Sequence, residues 1–121
     1  YLDIYPSDNC AIEFCQGTFS EMDDAEGEGI YDMIRYFGER KKILYVHFRN
    51  VSNAGDPFVE SFINTGHVDM IRALKIYKEV GFDGVLVNDH VPGTTGDTGW
   101  GHQGRAYANG YIQALLDVFD D

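Results

Sequence analysis

The chain has 121 residues, 44% of them hydrophobic, enough for a single domain with a core of its own. Twenty acidic residues against nine basic ones give a net charge of −11, which argues against a nucleic-acid partner, because phosphate backbones call for clustered Lys and Arg. No apolar run approaches the ~20 residues that cross a bilayer, and no signal peptide stands out, so no membrane partner is expected. Cys10 and Cys15 match neither a redox pair nor a zinc knuckle, and a reducing cytoplasm is the simplest compartment. The chain begins at Tyr1 inside sequence that already reads as structured, as a piece of a longer protein would.

Pro6, Ser7 and Asp8 mark a turn before a first strand at residues 11–16, which Gly17 stops. Residues 18–29 read as an acidic loop, solvated and without function of its own. Ile30, Met33, Ile34 and Phe37 recur at helical spacing, and Gly38 is the expected stop. Ile43-Leu44-Tyr45-Val46 then runs as a near-continuous apolar strand, the pattern of burial on both faces, and breaks into His47, Phe48, Arg49 and Asn50. A long loop over 49–66 includes a short irregular strand at 58–63. Residues 68–80 form the clearest helix, with Ile71 and Leu74 on its apolar side and Gly81 ending it. A third strand covers 82–88, and a glycine-rich loop with Trp100 covers 91–104. A helix over 105–119 carries an apolar stripe of Ala108, Tyr111, Ile112, Leu115, Leu116 and Phe119.

Strand and helix alternate three times, the pattern of an α/β fold with a parallel sheet. No glycine-rich phosphate fingerprint follows the first strand. Instead each strand ends in a reactive residue: Cys15, His47 and Asp89. Barrel enzymes place their sites at such strand ends, and a full (β/α)₈ barrel needs ~250 residues. The expectation is three consecutive units of an incomplete TIM barrel, with residues 1–121 as one region. Adjacent strands lie ~4.8 Å apart, so a thiolate, an imidazole and a carboxylate on one rim would meet at one divalent cation. Arg49, two residues past His47, points to the same side, with Asn50 beside it; its fork suits a substrate carboxylate or, equally, a salt bridge to the acidic loop. Arg105 and Tyr107 open the last helix, over the expected barrel mouth. His67 and His102 read as exposed loop or cap residues, and Cys10, on the opposite rim, as structural.

Phe14-Cys15-Gln16-Gly17-Thr18, Tyr45-Val46-His47-Phe48-Arg49-Asn50, Phe58-Val59-Glu60-Ser61-Phe62, Val68-Asp69-Met70, Asp89-His90-Val91-Pro92 and Gly104-Arg105-Ala106-Tyr107-Ala108-Asn109-Gly110-Tyr111 together resemble successive motifs of the mannonate dehydratases. They come in the right order and cover almost the whole chain. Two loop features depart from the pattern: the acidic stretch 23–29 is longer, and His67 stands where the family more often has an acid.

The resemblance implies a xylose-isomerase-like barrel, of which this chain is a C-terminal portion. It implies a hydro-lyase that converts D-mannonate to 2-dehydro-3-deoxy-D-gluconate in glucuronate catabolism. It also implies a Mn²⁺ or Fe²⁺ ion held by a Cys, two His and an Asp. Cys15, His47 and Asp89 match three of these, and the second His is expected upstream. The thiolate by itself leans toward zinc or iron. His90 and Tyr107 match the acid–base positions, and Arg49, Asn50 and Arg105 the substrate-binding ones. The full-length protein is expected to be a homo-oligomer, and the fragment alone inactive. The alternatives are a metal-dependent sugar isomerase or epimerase on the same kind of barrel, or a non-catalytic remnant.

Overall fold

The structure, a computed structural model, describes residues 1–119. Its centre is a three-stranded sheet of β1 (Ile12–Cys15), β2 (Ile43–His47) and β5 (Val85–Val87), in the order β1-β2-β5. Both pairings are parallel, with Cys15 opposite His47 and His47 opposite Val87. The helices are α1 (Gln16–Ser20), α2 (Gly29–Glu39), α3 (Met70–Glu79) and α4 (His102–Phe119). β3 (Asn50–Val51) and β4 (Glu60–Ser61) pair antiparallel as a small arm after β2. The α/β alternation and the parallel sheet are therefore as the sequence implies. No helix among the described residues is long and apolar enough to cross a membrane.

Side chains alternate across a strand, so Phe14 and Val46 share one face of the sheet and Cys15 and His47 the other. Phe14, Val46 and Phe48 are fully buried against Ile30 and Ile34 of α2 and Ala73 and Tyr77 of α3. Phe14 stacks on Phe19 at 4.4 Å between centroids and meets the edge of Tyr77 at 6.3 Å. Each large apolar side chain buried this way contributes ~1.5–3 kcal/mol.

Several local expectations are corrected. β2 is not buried on both faces: Tyr45 is exposed with Val85 and Val87 of β5 on the side the helices leave uncovered, and Leu44 is exposed where the register with β1 slips by one residue. The segment after Gly17 is not loop throughout. α1 follows β1 directly, capped by the Cys15 sulfur, and a 3-10 turn at Asp23–Ala25 buries Ala25. These turns are too short to leave a hydrophobic period in the sequence. Gly38 lies inside α2, where an added Cβ would stand 2.9 Å from Val80 Cβ; the chain turns instead at Lys41, φ 55°. In α3 the buried residues are Met70, Ala73, Leu74, Ile76 and Tyr77, while Ile71 faces outward. Asp69 caps that helix through Arg72 N at 3.0 Å, and Gly81 leaves it at φ 69°. α4 starts three residues earlier than expected, at His102.

Candidate metal centre

The parallel register sets Cys15 beside His47 at the same rim of the sheet. Asp89 arrives two residues after β5 with φ 51°, a left-handed turn that breaks the strand's alternation. Cys15, His47 and Asp89 each offer one ligand atom, and these atoms lie within 4.8 Å of one another. Asp89 Oδ2 is the shared point, 3.4 Å from His47 Nδ1 and 3.8 Å from Cys15 Sγ. The sulfur also accepts hydrogen bonds from Thr18, from N at 3.5 Å and from Oγ1 at 3.1 Å. A soft sulfur, an imidazole nitrogen and a carboxylate converging in a half-buried position fit a divalent transition metal.

The surroundings favour positive charge. Glu13 Oε1 lies 2.8 Å from His47 Nδ1, and Tyr45 Oη donates to Glu13 Oε2 at 2.7 Å. The hydrogen bond to Glu13 raises the Tyr45 pKa, so that phenol stays neutral. One guanidinium serves three carboxylates. Arg49 Nε reaches Asp89 Oδ2 at 3.0 Å, Nη1 reaches Glu60 Oε1 at 2.7 Å, and Nη2 reaches Glu21 Oε1 at 2.8 Å. Burial works against its charge, but the Glu21 and Glu60 carboxylates outweigh it, and the Arg49 pKa rises above the ordinary arginine range. The carboxylates still outnumber the cation, and a metal ion on the Asp89 side would offset part of that excess.

Three sequence-derived substrate contacts look different in this setting. Arg49 is 5% exposed, and its nitrogens are all engaged by protein acids. Asn50 is fully buried. Its amide donates to Ile63 O at 3.0 Å and Val68 O at 2.8 Å, while its oxygen accepts from Val51 N and Val68 N. It staples the arm to the loop before α3. Arg105 keeps partial exposure, tied to Asn88 Oδ1 at 2.9 Å and Trp100 O at 2.8 Å and stacked on the Trp100 ring.

The left-handed turn at Asp89 lets His90 remain at the same rim: its Nδ1 is 3.3 Å from Glu60 Oε1 and its Nε2 is 3.7 Å from Asp89 Oδ1. Tyr107 lies on α4, about half exposed, with its hydroxyl donating to Asn64 Oδ1 at 2.9 Å and its ring against Phe62. Both side chains are reachable from solvent, on separate elements. His102 is exposed at the first residue of α4, whereas His67 is half-buried, with Nε2 3.1 Å from Ser20 O.

The salt bridge from Arg49 to the acidic loop, the alternative reading of that residue, is present and is made by Glu21. Sequence reasoning missed three other acidic or amide partners. Glu13 shares a strand face with Cys15, a signal that two-residue spacing could have given. Glu60 lies in a quoted motif with no role attached. Gln16 is fully buried, its amide 3.2 Å from Met70 Sδ and its oxygen accepting from Tyr77 Oη at 3.1 Å.

The sequence model described as D-mannonate dehydratase (UxuA) matches residues 1–121. Mannonate dehydratase 2 of Halalkalibacterium halodurans is 33% identical over 123 residues, which cover 97% of this chain and 35% of that protein. The mannonate dehydratase of Thermotoga maritima is 30% identical over 118 residues, 90% of this chain and 31% of its own length. The crystal structure of mannonate dehydratase from Streptococcus suis serotype 2 superposes with a TM-score of 0.86 at 27% identity, covering 98% of this chain and 35% of that one. The chain thus spans about a third of the length of the relatives it matches.

Proposed function

This chain belongs to the D-mannonate dehydratase family, and from that premise we infer that the complete protein removes water from D-mannonate to give 2-dehydro-3-deoxy-D-gluconate, in hexuronate catabolism. The observation that carries the reading is the convergence of Cys15, His47 and Asp89 within 4.8 Å at the ends of neighbouring elements. We place the three strand–helix units in a xylose-isomerase-like (β/α)₈ barrel, whose remaining units come from sequence outside these residues. The likeness to the S. suis structure and the uncovered face of the sheet, with Val85 and Val87 exposed, support that placement. Most soluble oligomers are closed homo-oligomers, and we place the complete protein among them. A free Cys15 that must stay reduced to bind a metal fits the cytoplasm.

In this reading Cys15, His47 and Asp89 hold Mn²⁺ or Fe²⁺ together with a histidine from outside the chain. When bound, the divalent cation supplies Lewis-acid stabilisation of the negative charge that develops beside the substrate carboxylate. The protein's own groups manage the protons. The C–H bond alpha to the carboxylate and a neighbouring C–OH bond both break, and the elements of water leave. His90 and Tyr107, both solvent-reachable at the rim, are the pair that takes one proton and supplies the other; such groups contribute ~10²–10⁴-fold each. Arg105 is the remaining cation with access to a substrate carboxylate. Arg49 acts behind this surface, fixing Asp89 against Glu21 and Glu60.

The test is turnover of D-mannonate by the complete protein with Mn²⁺ or Fe²⁺, read as formation of the 2-keto acid. Dehydration is expected, with none from residues 1–121 alone. Interconversion of aldoses without mannonate dehydration would overturn the reading.

A further inference from the structure

We propose that Glu60 is a positioning residue that holds the His90 ring with Nδ1 turned to the arm and Nε2 turned to the metal centre. The proposal rests on His90 acting in acid–base chemistry. His90 is 60% exposed, so packing does not fix its ring. Two carboxylates flank it instead: Glu60 Oε1 at 3.3 Å from Nδ1, and Asp89 Oδ1 at 3.7 Å from Nε2.

An exposed histidine–carboxylate contact is ordinarily worth little, because both partners swing freely. Glu60 does not. Its Oε1 accepts from Arg49 Nη1 at 2.7 Å, and Arg49 is buried and tied through Nε to Asp89 Oδ2 at 3.0 Å. Its backbone belongs to β4, paired with β3, whose Asn50 is stapled on four sides. Asp89, Arg49, Glu60 and His90 thereby form a closed ring of contacts, and Glu60 is the member that faces His90 Nδ1. The contact of Nδ1 with Glu60 fixes the ring plane and turns Nε2 to the Asp89 side. The other oxygen of Glu60, Oε2, is buried with no hydrogen-bond partner among the described residues.

The experiment uses the complete protein loaded with Mn²⁺, as wild type, Glu60→Ala, Glu60→Gln, His90→Ala and the Glu60→Ala/His90→Ala double variant. Turnover of D-mannonate, KM and Mn²⁺ affinity are measured, and the ¹⁵N shifts of the His90 ring are read on the same variants with diamagnetic Zn²⁺ in place of Mn²⁺. Glu60→Ala should lower kcat about 10²-fold, the scale of a misplaced catalytic group, while KM and Mn²⁺ affinity hold. The His90 ¹⁵N shifts in Glu60→Ala should differ from those of wild type. Glu60→Gln keeps the shape and an acceptor for Arg49, so it carries the test if the alanine variant does not fold; it should fall between wild type and alanine. In the His90→Ala background the Glu60 change should cost nothing more. Wild-type kcat in Glu60→Ala or Glu60→Gln overturns the inference, as does a loss that adds in full to that of His90→Ala. Wild-type turnover in His90→Ala alone overturns the acid–base reading beneath it.

Discussion

Adding one methyl group at Gly17 strikes the Arg49 guanidinium without touching any residue that could bind metal or substrate. A Cβ there would run into Arg49 Cζ and Nε and stand 2.5 Å from its Cγ. Reaching the 3.4 Å of ordinary contact needs a retreat of about 1 Å. The guanidinium has nowhere to go, since contacts of 2.7, 2.8 and 3.0 Å to Glu60, Glu21 and Asp89 surround it. Overpacking of this kind costs ~1–3 kcal/mol. Breaking even one charge-assisted hydrogen bond adds ~1.5–3 kcal/mol. Gly17→Ala should therefore destabilise the complete protein by about 3 kcal/mol in chemical denaturation. It should also weaken Mn²⁺ binding about 10-fold, because Asp89 loses its anchor. Gly110→Ala in α4, where an added Cβ meets nothing within 4 Å, is the control and should change neither quantity for the worse. Unchanged stability and metal affinity in Gly17→Ala would refute the claim that Arg49 is fixed in this position.

Two further substitutions probe the buried polar framework. Asn50→Ala leaves two carbonyls and two amides around the arm without their partner, at ~1–3 kcal/mol for each group left unsatisfied, so denaturation should show a loss of several kcal/mol. Tyr77→Phe removes the hydrogen bond to Gln16 Oε1, a loss of ~1 kcal/mol at neutral pH. Burial, with Cys15 nearby, raises the Tyr77 pKa well above the model-compound value of 10.0. Its folded value therefore lies above the unfolded one, and its contribution is present below pH 10 and lost as pH rises through the folded value. Stability measured from neutral pH upward should fall less steeply in Tyr77→Phe than in wild type.

The sequence carried the architecture where its signals were long. Strand–helix alternation announced the parallel sheet, and polar residues at strand ends announced the rim where Cys15, His47 and Asp89 meet. It failed where the deciding contact is remote. Arg49 and Asn50 follow His47 as ligand-binding residues would. Their protein partners, Glu21, 28 positions earlier, and Val68, 18 later, leave no local pattern beside them. The acidic stretch looked solvated because charge runs usually are, and nothing local distinguishes Glu21 from its neighbours. Gly38 read as a helix stop because close approach to Val80, 42 residues on, leaves no local pattern. The exposure of Tyr45 was hidden for the opposite reason: its hydrophobicity is real, but the helices here cover one face of the sheet.

The most direct test of the central claim is titration of Mn²⁺ into the complete protein and its Cys15→Ala, His47→Ala and Asp89→Ala variants, each also assayed with D-mannonate. Wild type should bind the ion and dehydrate the substrate. Each variant should lose at least 10-fold in affinity, on the scale of disturbing a metal's immediate surroundings, and lose turnover with it. Wild-type affinity and turnover in His47→Ala would contradict the account.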